Sequence, residues 1–224
     1  MFSQNRRTFI KAAGAAAIVG TTTRDAFSQD NKVLIIGVAC SPRQGKTTAS
    51  GVQAALDAAK SIDSRIQVEM IDLGGKNISG WKPPVEGQTM EDDVDVILPS
   101  FKEANLGGVI IGTPVYFRNM SSLCAAFLER LGALRKPTLQ LADKAIGALS
   151  VGAYRNGGQE LAIQQIQTAM LCHEAVIVGG KPGAFQGATL WNDGSDDISK
   201  DEFGMTSAKN LGIRVAEAAL KLKL

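Results

Sequence analysis

The stretch Ser41-Pro42-Arg43-Gln44-Gly45-Lys46-Thr47-Thr48 packs three hydroxyls, two cations and a glycine into eight positions. That set suits an anion. Ser41, Thr47 and Thr48 offer O–H donors, and the N–H groups from Gly45 to Thr47 offer more. Arg43 or Lys46 can neutralise charge without a metal. A helical pattern starts at Thr47, and the first N–H groups of a helix lack partners and sit at the positive end of its dipole. The stretch reads as a phosphate cradle.

Two more loops carry chemistry of other kinds. Thr113-Pro114-Val115-Tyr116-Phe117-Arg118-Asn119-Met120 holds two neighbouring aromatics in a chain with only 5% of them. Pro114, Val115, Tyr116 and Phe117 could form a flat apolar wall for a planar ring. Core packing or an oligomer surface is the other use of such a pair. Gly152-Ala153-Tyr154-Arg155-Asn156-Gly157-Gly158 offers backbone N–H groups to the polar edge of a ring, or is a plain turn.

These loops need elements to position them. Val33 to Ala39 is apolar throughout, as in a parallel strand buried on both faces. Helical spacing follows from Thr47 to about Ile62, with Val52, Ala55, Leu56 and Ala59 on one face. Strands are expected at Arg65–Leu73, Leu106–Gly112, Lys144–Val151 and Ala175–Gly179. Helices are expected from Glu91, from Ser121 or Ser122 to about Leu134, after Glu160 to about Cys172, and from about Thr206 to Leu222. Pro99 should shorten the helix that begins at Glu91. Residues 76–90 and 180–199 read as irregular, and the acids from Asp193 to Asp197 as a solvated loop.

Strands and helices in alternation give an α/β three-layer sandwich. We expect a five-stranded parallel sheet in the flavodoxin-like order 2-1-3-4-5. Ligands in such sheets sit beyond the carboxyl ends of the strands, at the switch point between strands one and three. The loops at Ser41–Thr48 and Thr113–Met120 leave those two strands.

The phosphate has two candidate owners. A Walker A loop needs a glycine at position 40, where Cys40 stands, and a strand ending in Asp, which Val109-Ile110-Ile111-Gly112-Thr113 is not. The other owner is FMN. Ser41-Pro42-Arg43-x-x-x-Thr47-Thr48, Thr113-Pro114-Val115-Tyr116-Phe117-x-Asn119-Met120-Ser121 and Gly157-Gly158-Gln159-Glu160 together resemble the FMN loops of the flavodoxin-like NADPH-dependent FMN reductases. The likeness spans Lys32 to the last helix, and its nearest branch is the iron–sulfur flavoproteins. It implies FMN held by Ser41, Arg43, Gly45, Lys46, Thr47, Thr48, Pro114, Val115, Tyr116, Phe117, Asn119, Gly152, Gly157 and Gly158. It also implies NAD(P)H as a transient reductant, a small-molecule electron acceptor and a homo-oligomer. Thr47 stands where the family commonly has Asn. The cluster cysteines of the iron–sulfur branch would fall within 76–90, where this chain has none and carries Trp81.

The N-terminus is read separately. Arg6-Arg7-Thr8-Phe9-Ile10-Lys11 and the Ala-rich run to Gly20 resemble a bacterial twin-arginine export signal. A small-residue site at Ala26-x-Ser28 divides a signal peptide, 1–28, from a single flavodoxin-like domain, 29–224. The expected location is periplasmic, with the protein exported folded and loaded, and a periplasmic redox protein is then an alternative partner. The net charge of +2 resides in that leader; beyond it stand 20 basic and 21 acidic residues. So neutral a body does not call for nucleic acid, nor for a membrane once the signal is removed. Cys40, Cys124 and Cys172 show no C-x-x-C spacing, and a single histidine, His173, excludes a multi-histidine metal site. The expected function is an NAD(P)H-dependent FMN or quinone reductase. An FMN electron carrier is the alternative, and a P-loop nucleotide-binding protein comes third.

Overall fold

Val33–Ala39 forms β1, and every one of its residues is buried. Continuous apolar sequence is what a strand covered on both faces requires. The same holds for β3 (Leu106–Pro114) and β4 (Ala145–Gly152). The edge strand β2 (Ile66–Asp72) is only partly covered and carries polar residues. Description rests on a computed structural model that covers residues 31–83 and 92–223. The expected export signal, its expected cleavage site and residues 84–91, with the expected helix start at Glu91, lie outside the described residues.

All pairings are parallel, in the order β2-β1-β3-β4-β5. The expected fifth strand is corrected in one respect. It is shortened to β5 (Val176–Ile177), beside the start of β4, and a sixth strand, β6 (Ala188–Trp191), pairs with the end of β4 inside the stretch 180–199 expected to be irregular. Between them the chain leaves the sheet at Gly179-Gly180. A Cβ on Gly179 would lie 1.9 Å from the Phe185 carbonyl oxygen, and the Gly180 N–H donates to Ala184. Four residues inside a glycine-rich stretch are too few to announce β6 by periodicity.

Two helices cover one face of the sheet: α1 (Thr47–Ser61) and the last helix, α5 (Glu202–Leu222). The other face holds α2 (Val94–Ile97), α3 (Ser122–Arg130) and α4 (Gln159–Leu171). Pro99 does shorten its helix, because a 3₁₀ turn, Leu98–Lys102, takes over. The last helix begins earlier than its apolar spacing indicates. Asp201 caps it by accepting the Gly204 N–H at 3.0 Å.

His173 lies just beyond the end of α4, 5% exposed, and its Nδ1 has no partner among the described residues. Burial, and secondarily the Arg135 cation, lower its pKa from the ordinary 6.5. Unfolded chain therefore binds a proton that folded chain refuses. This contribution to stability is complete above the unfolded value. It declines as pH falls through that value, until the folded value is reached. Thermal melts from about pH 7.5 to about pH 5.5 should show falling stability, and His173→Leu should flatten the dependence.

Candidate functional site

The first loop is ordered by its own short contacts. Ser41 is buried, and its Oγ accepts the Arg43 N–H at 3.2 Å. Gly45 adopts φ +66°, a left-handed conformation that glycine takes at no steric cost. Its N–H donates to Asp72 at the end of β2, 2.7 Å away, and the same carboxylate accepts Gly74 at 2.9 Å. Thr47 and Thr48 open α1 and are 3% and 1% exposed. Thr48 turns its methyl toward Gly112 in the sheet.

No side chain caps α1. By contrast, Ser121 caps α3, accepting the Cys124 N–H at 3.0 Å, and Asp201 caps α5. α4 also starts without a side-chain cap, at Gly158; the start of α1, with Arg43 and Lys46 beside it, could hold an anion at the switch point. Arg43 and Lys46 both turn to Asp196, with the Lys46 Nζ at 3.1 Å. Lys46 and then Arg43 hold the Asp196 carboxyl below its ordinary 3.8. Two cations on one carboxylate mark a position built for negative charge. The loop from Asp193 to Asp197 is exposed, as expected, yet within it Asp196 is partnered across 153 residues.

The second loop is a two-residue hairpin. Tyr116 and Asn119 exchange backbone hydrogen bonds of 2.9 Å each way. Phe117 and Arg118 between them both have positive φ, +50° and +66°. That is a type I′ turn made without glycine, a conformation held only where surroundings enforce it. Gln165 of α4 does so: its Oε1 accepts the Met120 N–H at 2.9 Å, and its Nε2 donates to Asn119 Oδ1 at 2.8 Å. Tyr116 is 41% exposed and Phe117 97% exposed. At the carboxyl end of β3, Pro114 is buried as the last residue of the strand, half-buried Val115 and exposed Tyr116 present the apolar surface, and Phe117 stands at the solvent-facing tip.

The third loop lies against the second. Gly158 has φ +109°, and a Cβ there would meet Arg118 Cα at 2.9 Å. Gln159 is buried and ties the loop down through the Tyr154 carbonyl (2.7 Å) and the Leu190 carbonyl (3.2 Å). Gly152 and Gly157 each sit tightly against Gln159 or the Tyr154 carbonyl. Buried Asp201 accepts from Trp191 N–H at 2.8 Å and from Arg155 at 2.9 Å, and the Arg155 guanidinium lies 4.8 Å from the Trp191 ring centroid. Loops after β1, β3, β4 and β6 thus meet at one end of the sheet.

Sequence reasoning placed Ser41, Arg43, Gly45, Lys46 and Thr47 at that end, with Asn119, Gly157 and Gly158 nearby. It missed Asp72, Gln165 and Asp196, and did not connect Arg155, Trp191 and Asp201. Only Asp72, at the carboxyl end of a strand, carried a signal that could have found it.

A mononucleotide flavin needs a seat for a dianion and a seat for a flat ring. The uncapped start of α1, with Arg43 and Lys46, fits the first, and the Pro114–Tyr116 edge fits the second. A sulfur-bridged iron cluster is another matter, since it is held by four thiolates. The chain has three cysteines. Cys40 and Cys124 are buried side by side, with burial and then Cys124 pushing the Cys40 thiol well up, and Cys172 is exposed elsewhere. The residues present do not fit a cluster. Among the described residues no group of three His, Cys, Asp or Glu side chains could hold a metal, and no helix is long and apolar enough to cross a membrane.

The chain is 38% identical over 199 residues to an iron–sulfur flavoprotein of Methanocaldococcus jannaschii, covering 84% of this chain and 98% of that one. It is 29% identical over 157 residues to an NAD(P)H dehydrogenase (quinone) of Chromohalobacter salexigens, covering 64% and 74%. Among solved structures it is similar to a flavodoxin, WrbA-like protein of Agrobacterium tumefaciens, with a TM-score of 0.58 at 16% identity and coverage of 85% and 98%. Residues 32–189 match the family described as NADPH-dependent FMN reductase, and the chain belongs to that family.

Proposed function

We propose that this protein binds FMN and moves electrons from NAD(P)H to a quinone, a free flavin or another small acceptor. The observation that carries the reading is the meeting, at the switch point, of an uncapped helix start bearing two cations with an apolar turn. In this reading Arg43, Lys46 and the first N–H groups of α1 hold the phosphate, with Ser41 and Thr47 alongside. Pro114, Val115 and Tyr116 seat the ring. The Gly158 N–H meets its polar edge, where developing negative charge is stabilised by fixed donors; the Gly157 N–H is instead donated to the Tyr154 carbonyl at 3.0 Å and shapes the loop. The bound flavin supplies the redox chemistry, accepting and returning two electrons. The protein holds the ring in place, and hydride transfer asks no side-chain acid or base of it. The family description supports NADPH as reductant, and the quinone-reducing relative supports a quinone as acceptor.

Export through the twin-arginine route and a periplasmic location are part of the proposal, supported by Arg6-Arg7 and the weakly apolar run after them. A homo-oligomer is supported by Phe117 and Tyr154, both largely exposed beside the site. The same signal favours a second reading, an FMN carrier reduced by a periplasmic redox protein, because NAD(P)H is a cytoplasmic reductant.

The visible spectrum of protein purified from its exporting host tests the core of this reading. Yellow protein that releases FMN on denaturation is the expected result. Bleaching by NADPH without oxygen is expected of the reductase, whereas flavin that NADPH leaves oxidised favours the carrier. Colourless protein that takes up no added FMN sinks both.

A further inference from the structure

Asp196 stands where an anion belongs. One carboxylate oxygen takes the Arg43 guanidinium and the other takes the Lys46 ammonium at 3.1 Å, and all three side chains are about half exposed. The loop that presents it is a preformed turn. The Asn192 carbonyl accepts both the N–H and the Oγ of Ser195, at 2.8 and 2.7 Å. Asp193 and Gly194 lie in the left-handed region, and the neighbouring Asp197 folds back onto Ser199 at 2.8 and 2.9 Å. Asp196 alone of these acids reaches across to the phosphate loop.

We propose that Asp196 is an internal stand-in for the phosphate: it occupies the cradle's cations in cofactor-free protein and yields them when the phosphate monoester of FMN binds. This rests on the FMN reading above. Charge decides between exchange and sharing. Arg43, Lys46 and one carboxylate leave a single positive charge over. A phosphate dianion added beside that carboxylate would leave one negative charge over, whereas a dianion that replaces it leaves none. Water already reaches Asp196, so the displaced carboxylate is resolvated at little cost. Until then it keeps two like charges from driving the loop apart. Both cations also keep the carboxyl ionised across the neutral range, so ligand rather than pH drives the exchange.

Titration of cofactor-free full-length protein compares wild type with Asp196→Asn and Asp196→Ser. FMN and riboflavin are followed by quenching of flavin fluorescence, and inorganic phosphate by calorimetry. Both variants should bind FMN roughly three- to thirty-fold more tightly, the scale of two half-exposed ion pairs. They should also bind inorganic phosphate more tightly, with riboflavin affinity unchanged. Equal or weaker FMN binding by both variants overturns the exchange, because the carboxylate would then be a bystander or a fixture of the loaded site. If wild type and variants take up neither flavin, it is the FMN reading that fails. The phosphate arm then still decides: tighter binding by the variants upholds the stand-in, and equal or weaker binding ends it.

Discussion

Removing both cations of the first loop, in an Arg43→Ala, Lys46→Ala double variant, is expected to weaken FMN binding and leave riboflavin binding nearly untouched. The two flavins differ only in the phosphate, so the ratio of their dissociation constants isolates the cradle. Each charge-assisted contact to a phosphate is worth about 1–1.5 kcal/mol once solvent screening at half-exposed side chains is allowed for. Two of them amount to roughly a 30- to 150-fold loss. Fluorescence quenching of both flavins on cofactor-free protein gives the numbers. Added salt should weaken FMN binding to wild type more than to the double variant, because the interaction being screened has been deleted. Equal losses for FMN and riboflavin would place the phosphate somewhere other than the mouth of β1.

Gly212→Ala is expected to cost the fold about 3 kcal/mol or more, near the upper end for forcing extra volume into a packed interior. Gly212 lies in the middle of α5, where that helix crosses α1. A Cβ there would sit 1.9 Å from the Ala55 carbonyl oxygen and 2.6 Å from its carbonyl carbon. Neither is the end of a flexible side chain, so the two helices must separate. Ala is the better helix former by about 1 kcal/mol, and that gain does not offset the clash. For a domain of this size the melting temperature should fall by roughly 6–12 °C. Gly132→Ala is the control: nothing lies within 4 Å of its would-be Cβ, and its effect should stay within about 0.5 kcal/mol. Equal melting temperatures for the two variants would show that α1 and α5 are free to part. Because α1 opens at the proposed phosphate site, the Gly212 variant should lose FMN affinity along with stability, whereas the Gly132 variant should keep both.

The strand order, and with it the end of the sheet where chemistry gathers, came from the resemblance to flavodoxin-like proteins; the sequence alone determined the layered α/β architecture. The reason is local: β1, β3 and β4 are apolar but for Thr113 and Ser150 because both faces are covered, and the spacing of Val52, Ala55, Leu56 and Ala59 marks a helix. Ser41-Pro42-Arg43 and Thr113-Pro114-Val115-Tyr116 each carry their chemistry within a few consecutive residues, so both loops could be read directly. What only the tertiary structure decided is who holds those loops. Gln165 fixes the hairpin at Tyr116–Asn119 from a different helix, and Asp72 takes the Gly45 N–H from a neighbouring strand. Asp196 pairs with Arg43 across 153 residues. No periodicity or short motif encodes such pairings, because they arise from the packing of separate elements. The short strand β6 belongs with them: four residues become a strand only because the end of β4 is there to pair with them.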